Sequence, residues 1–539
     1  MTDHFSEFLR IQQAEMGPSR TPTFAWKTTL TSLTDTVKLV LPPNNVLPII
    51  FIPGIMGSNL QGSDGKPVWL MNKTAGQPLG LAWMWARKNA GQRQAILHPS
   101  RTSVYSGGSV PSEPVGTIGH RDEFTARGWG EVGETSYHEF LLWAESKLNG
   151  AGWNPAERTD FSYTAVSAPP RPGGPKVVPK LSAGIVMRME GLPLVPEKGF
   201  RTEAILSDDL LKRATCRFPV YACGYNWLQS NFEAAERLRE RIDQIIAHHH
   251  KGSQTCRQVI LVTHSMAGLV ARACVTFEGM SDKIAGIVHG VMPATGAPVA
   301  YRRCKVGMAD EDFAAGLVIG SNGREVTSVF AQAPGALQLL PSQAYKSGWM
   351  RVTDDTGRVV ESLPKSDPYE ELYLRRNVWW GLVNEQWLTP LDGIAIKWGE
   401  FERNIEPAKD FHQEINGVFH KSTFVYYGAG NKKQAFFETI DWRLSHGIAP
   451  GEGLQPTVSQ LLTKGHHEVR TSGTNMIHVG GRTVIAPPTA ICHPALRTKQ
   501  VFGKSNVAFR TDAVTGLFLR VLVLHRAKQV ESQFGNNLV

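Results

Sequence analysis

Read for the spacing of its apolar positions, the chain alternates short, continuous apolar runs with longer stretches of helical periodicity. Leu47-Pro48-Ile49-Ile50-Phe51-Ile52 is unbroken until Pro53-Gly54, the pattern of a strand buried on both faces of a parallel sheet. Phe218-Pro219-Val220-Tyr221-Ala222 predicts a second strand, Val259-Ile260-Leu261-Val262 a third, and Ile284-Ala285-Gly286-Ile287-Val288-His289-Gly290-Val291 a fourth. The apolar core returns at Ser422-Thr423-Phe424-Val425-Tyr426-Tyr427. Between the second and third runs, Phe232, Ala235, Leu238, Ile242 and Ile245 recur at helical spacing, behind a Ser230-Asn231-Phe232-Glu233 start of capping-box form. Strands alternating with helices imply an α/β protein with a parallel sheet. The chain closes on an amphipathic helical pattern over about 512–524.

Two stretches interrupt this rhythm. From about residue 70 to 215 the pattern is irregular and rich in Gly, Pro and Trp, with a linker-like Ala168-Pro169-Pro170-Arg171-Pro172. From 300 to about 420 it is aromatic, with Trp349, Trp379, Trp380 and Trp387. At 539 residues the chain exceeds the ~250–300 at which a single core stops growing, so two domains, or one core with large insertions, are expected. The expected division is a core of 1–70, 216–300 and 420–539, a first insertion over 71–215 acting as a cap, and a second over 301–419 acting as a lid or cap.

The chemistry concentrates where the third strand meets a helix start. Val262-Thr263-His264-Ser265-Met266-Ala267-Gly268 has the layout of a nucleophile elbow, in which a serine stands at a sharp strand-to-helix turn. The usual small residues two before and two after the serine are here Thr263 and Ala267, the first a branched residue in a crowded place. A serine hydroxyl needs a base, an acid that orients the base, and backbone N–H groups that hold the oxyanion. Met266 N–H is the expected first donor and Met56 N–H, in Pro53-Gly54-Ile55-Met56-Gly57, the second. The base should precede the last helix, where His493 lies, with His478 and His446 as alternatives.

Net charge of +9 and a pI near 9.2 favour acidic partners such as anionic lipid head groups. The basic residues are dispersed and no nucleic-acid signature accompanies them, so no nucleic-acid partner is expected. Cys216, Cys223, Cys256, Cys274, Cys304 and Cys492 have no ligand-type spacing and read as small core residues. His248-His249-His250 reads as cationic complement to a helix C-terminus rather than as a metal cluster, and no cofactor or metal is expected. The charged N-terminus lacks a signal-peptide pattern and the apolar runs are too short to span a bilayer, which implies cytoplasmic synthesis and peripheral membrane contact.

Pro53-Gly54-Ile55-Met56-Gly57-Ser58-Asn59-Leu60, Pro67-Val68-Trp69, Tyr225-Asn226-Trp227 and His264-Ser265-Met266 together resemble the lecithin:cholesterol acyltransferase and PGAP1-like α/β hydrolases. The stretch from Gly224 to Ala300, with Val288-His289-Gly290-Val291-Met292-Pro293-Ala294-Thr295-Gly296-Ala297, is similar to bacterial lipase effectors of type VI secretion, which are antibacterial phospholipases. The resemblance implies an α/β-hydrolase core with large cap or lid insertions, hydrolysis of glycerophospholipid acyl esters, and contact-dependent delivery into a target cell. It further implies a cognate immunity protein and a secretion-apparatus spike protein as partners. The family's acid-bearing turn has its nearest counterpart in Gly451-Glu452-Gly453-Leu454-Gln455-Pro456, which nominates Glu452, with Asp441 as rival. Two alternatives stay open: a lipid acyltransferase using the same site, and a hydrolase-like binding or delivery module without activity.

Overall fold

The apolar runs pair into one parallel sheet. The computed structural model describes most of residues 44–149, 216–426 and 439–443, with short strands outside these ranges. The central strands are β1 (Ile49–Ile52), β2 (Val220–Ala222), β3 (Val259–His264), β4 (Ile284–Gly290) and β5 (Thr423–Tyr426). They lie in the order β2-β1-β3-β4-β5, and every neighbouring pair is parallel. β3 occupies the centre, and this is the strand that leads into Ser265.

Helices cover both faces, which is why the strands read as continuous apolar runs rather than as alternating ones. The principal helices are α1 (Ala90–Ile96), α2 (Glu139–Asn149), α3 (Asn231–His249), α4 (Ala267–Thr276), α5 (Pro298–Val306), α6 (Gly323–Phe330) and α7 (Trp398–Glu414). Ile50, Ile52, Leu261 and Ile287 point to one side, where Leu238 and Ile242 of α3 and Leu269 and Val270 of α4 pack on them. Ile49, Phe51, Ile260, Val262 and Val288 point to the other, against Phe124, Trp129, Phe140 and Leu141. Successive residues of a strand face opposite sides, so the two sets interleave in sequence and separate in space.

Residues 118–149, within the stretch read as the first insertion (71–215), thus cover the second face of the sheet. Two polar anchors hold this layer. Glu145 Oε2 accepts from Val220 N–H at 2.8 Å, and Asn149 Oδ1 accepts from Phe218 N–H at 2.9 Å while its Nδ2 donates to Phe218 O. Arg127, buried beside Glu145 and Glu123, neutralises the buried carboxylate.

The capping box expected at Ser230 forms, with Ser230 N–H donating to Glu233 Oε2 at 2.9 Å. At the other end of α3, His249 Nε2 meets the Tyr221 hydroxyl at 2.7 Å and His250 Nδ1 accepts from Cys256 N–H at 3.3 Å. The stretch read as the second insertion (301–419) packs through α6 onto α1, where Ser328 Oγ donates to Ala90 O and Gln332 Nε2 to Gln94 O and Leu97 O. α7 meets α3 edge-on through Phe411 and Phe232, with ring centres 4.9 Å apart. Met350–Thr353 pairs with Val359–Leu363 and Ile440–Arg443 in a small side sheet. Cys216, Cys223, Cys256, Cys274 and Cys304 are free and buried. The helix expected over 512–524 lies outside the described residues. Among the described residues, no helix is long and apolar enough to cross a membrane.

Candidate active site

Ser265 stands at the end of β3 with a left-handed φ of 54°. Its N–H donates to Gly290 O at 2.8 Å, extending the β3–β4 ladder one residue past the strand. The chain then reverses into α4, where Gly268 N–H bonds back to Ser265 O at 3.0 Å. A non-glycine residue held at positive φ costs about 1–2 kcal/mol, and such strain persists where the surroundings over-determine it. The turn places the serine at the carboxyl edge of a parallel sheet, where α/β folds bind ligands.

The two departures from the usual glycines have a physical account. Thr263 is fully buried, and its Oγ1 lies 2.8 Å from His289 Nδ1 on the neighbouring strand. Ala267 is also fully buried, while the closest approach of helix to chain falls one residue later. A Cβ on Gly268 would come within 2.4 Å of Met292 Cγ.

Residues 54–57 lie against this turn. Gly57 N–H donates to Gly54 O at 2.9 Å, and Met56 takes a φ of 63° at the third position of the turn, a conformation usually left to glycine. A Cβ on Gly54 would stand 2.9 Å from His264 Nδ1 and 3.1 Å from Ser265 Cβ, so only glycine lets the loop come this close. The N–H groups of Ile55, Met56 and Met266 make no hydrogen bond with the described residues. The structure therefore brings Ser265, Met266 and the Met56 turn together at one end of β3.

The loop is held from several directions. Trp69 Nε1 donates to Met56 O at 2.9 Å, and Trp69 in turn packs edge-on against Trp227 at 5.3 Å. Gly133 N–H donates to Gly57 O at 2.9 Å, Tyr225 N–H to Ser58 Oγ at 2.9 Å, and Asn59 Nδ2 to Gly130 O at 3.0 Å. The Pro67-Val68-Trp69 and Tyr225-Asn226-Trp227 segments therefore act as supports for the glycine loop. Tyr137 adds a contact that no sequence motif announces: its oxygen accepts from Gly54 N–H at 3.2 Å and lies 3.1 Å from His264 Nδ1.

Buried charge nearby is organised around neutral histidines. Burial, with Arg272 and His420 nearby, pushes the His289 imidazole down to about 3. Arg272 is itself buried, donating to Val418 O at 2.9 Å, to Ala294 O at 2.6 Å and to Ile415 O, and desolvation lowers its guanidinium to about 9. Burial also raises the Tyr137 phenol well above its ordinary range, keeping it protonated.

The remaining expected members are placed differently. His493 and Glu452 lie outside the described residues, as does His446, and of the His478 side chain nothing is described. Asp441 sits in the side sheet, where both carboxylate oxygens bind Arg351, Oδ1 to Nε at 2.5 Å and Oδ2 to Nη2 at 2.7 Å.

A strained serine between a central parallel strand and a helix, in a sheet covered on both faces, defines an α/β hydrolase. The family model of the PGAP1-like alpha/beta domain matches residues 228–310, from the turn before α3 past α5. A solved structure described as the crystal structure of the Tle4-Tli4 complex is similar over 89% of this chain and 98% of its own, at 25% identity and a TM-score of 0.67. Among the curated proteins, none matches the sequence. Together these similarities support an α/β-hydrolase fold of the PGAP1-like kind and a lipase-type hydrolase similar to the type VI lipase effectors.

Proposed function

We propose that the protein is a serine phospholipase of A type that hydrolyses acyl esters of glycerophospholipids, with Ser265 as nucleophile. The observation that carries this reading is the left-handed Ser265 at the end of the central strand, pressed against Gly54, because strained turns of this kind cluster at functional sites and the bare glycine brings the Met56 turn beside the serine. Ser265 Oγ attacks the ester carbonyl, and His493 takes the proton and returns it to the departing lyso-lipid oxygen. Glu452 orients the imidazole. The N–H groups of Met56 and Met266 hold the tetrahedral oxyanion, and water then releases the fatty acid from the acyl-enzyme.

The setting is that of an antibacterial effector delivered by contact-dependent secretion and acting peripherally at the target membrane. Its solved relative is a complex of Tle4 with Tli4, which supports a cognate immunity protein as partner here, alongside a spike protein of the secretion apparatus. The basic net charge suits an anionic lipid surface. The test is fatty-acid release from phospholipid vesicles. Ser265→Ala abolishes release and fluorophosphonate labelling while far-ultraviolet circular dichroism is unchanged; release retained in that variant removes Ser265 from the mechanism.

A further inference from the structure

We propose that Tyr137 is a positioning residue that ties the glycine loop to the nucleophile turn and thereby sets the oxyanion geometry. The inference rests on Ser265 as nucleophile and adds a residue to that site.

One phenolic oxygen joins two segments far apart in sequence. It accepts from Gly54 N–H at 3.2 Å and faces His264 Nδ1 at 3.1 Å, and His264 immediately precedes Ser265. The phenol oxygen accepts from the Gly54 amide, and the proton of its contact with Nδ1 is set by the His264 tautomer, so one oxygen bridges the loop and the turn in either case. The ring is fixed on both sides, with its centre 5.0 Å from Phe51 on β1 and 5.7 Å from the His264 ring. Gly57 is bare on the side where the phenol sits, and a Cβ there would fall 2.7 Å from the Tyr137 oxygen and 2.8 Å from Cε2.

The backbone repeats the same connection. Tyr137 lies in a single wide helical turn over Glu134–His138, with its N–H bonded to Gly133 O at 3.0 Å, while Gly133 N–H bonds to Gly57 O at 2.9 Å. Such π-type turns recur at functional sites. Tyr137 is 6% exposed and its hydroxyl stays protonated through the neutral range, so the dipole it offers is constant. Oxyanion donors act only if they are already in place when charge develops, and displacement of the loop by a fraction of an ångström lowers turnover without changing what binds the acyl chain.

The test compares Tyr137→Phe with the wild-type chain in hydrolysis of a short-chain p-nitrophenyl ester and in the rate of fluorophosphonate labelling. The expected result is a fall in kcat of about 10- to 100-fold with KM within about twofold, and labelling slowed in parallel, because the phosphonyl adduct uses the same donors. Unchanged kcat, or a change confined to KM, overturns the proposal. Should Tyr137→Phe fail to fold, Gly57→Ala presses on the same phenol and on Pro53 Cβ; it is judged by the same split between kcat and KM, and a kcat left unchanged overturns the proposal. Ser265→Ala is run alongside: activity surviving there overturns the nucleophile, a result separate from any Tyr137 effect.

Discussion

Thr263 Oγ1 and His289 Nδ1 lie 2.8 Å apart across the β3–β4 pair, both side chains fully buried. The branched residue that departs from the usual small residue of a nucleophile turn is therefore half of a cross-strand polar pair. Its β-branched shape suits a strand, and its hydroxyl meets the nitrogen that a buried imidazole would otherwise leave unsatisfied.

Thr263→Val keeps the shape and deletes the hydroxyl. His289 Nδ1 then loses its partner in a dry environment, which costs about 1–3 kcal/mol. The denaturation midpoint should fall accordingly while Ser265 still labels with a fluorophosphonate. A midpoint equal to wild type would mean that the pair contributes nothing to stability.

Gly54→Ala introduces a methyl group 3.1 Å from Ser265 Cβ and 2.9 Å from His264 Nδ1. Loop and turn must separate, which would move the proposed donor at Met56 away from the one at Met266. Loss of one oxyanion donor costs ~10²–10³ in rate, and a fall of about that size in kcat is expected. Near-normal turnover would show that the loop's closeness to Ser265 is incidental.

Ser265→Gly and Ser265→Ala should both be inactive yet differ in stability. Only glycine adopts a φ near 54° without a steric cost, which is about 1–2 kcal/mol for an L-residue, partly offset by glycine's greater freedom in the unfolded chain. The glycine variant should therefore exceed the alanine variant by roughly 1 kcal/mol in urea denaturation. Equal stability would indicate that the turn relaxes when the side chain is removed.

Acid should weaken the fold through two imidazoles. Burial holds His289 down to about 3 and His412 down to about 4, against about 6.5 when unfolded. Their contribution is complete above pH 6.5. Below it the unfolded chain binds protons that the folded one refuses, and stability falls by at most about 1.4 kcal/mol per pH unit for each histidine until the folded value is reached. Urea midpoints measured from pH 7.5 to 4.5 should decline, and His289→Asn should flatten the slope. A midpoint independent of pH across that range contradicts the assignment.

Much of the candidate site was legible from local pattern. Ser265 was recognisable because an unbroken apolar run, a turn and a helix start are each signalled within a dozen residues, and Pro53-Gly54 marked the facing loop in the same way. Trp69 was visible as part of a motif, though its task, holding Met56 O, was not. Tyr137 carried no signal. It lies in an irregular stretch, and its importance comes from an oxygen that meets residues 83 and 127 positions away.

The sequence by itself determined the order of buried strands and helices, the serine turn and the glycine loop, because each depends on hydrophobic period and backbone freedom over a few neighbouring residues. Only the tertiary structure decided that residues 118–149 cover the second face of the sheet, that Thr263 is paired with His289, and that Tyr137 joins the glycine loop to the serine turn. Those relationships exist only after distant segments have been folded against one sheet. A buried polar atom's partner is set by which groups arrive beside it, and that is a property of packing rather than of spacing along the chain.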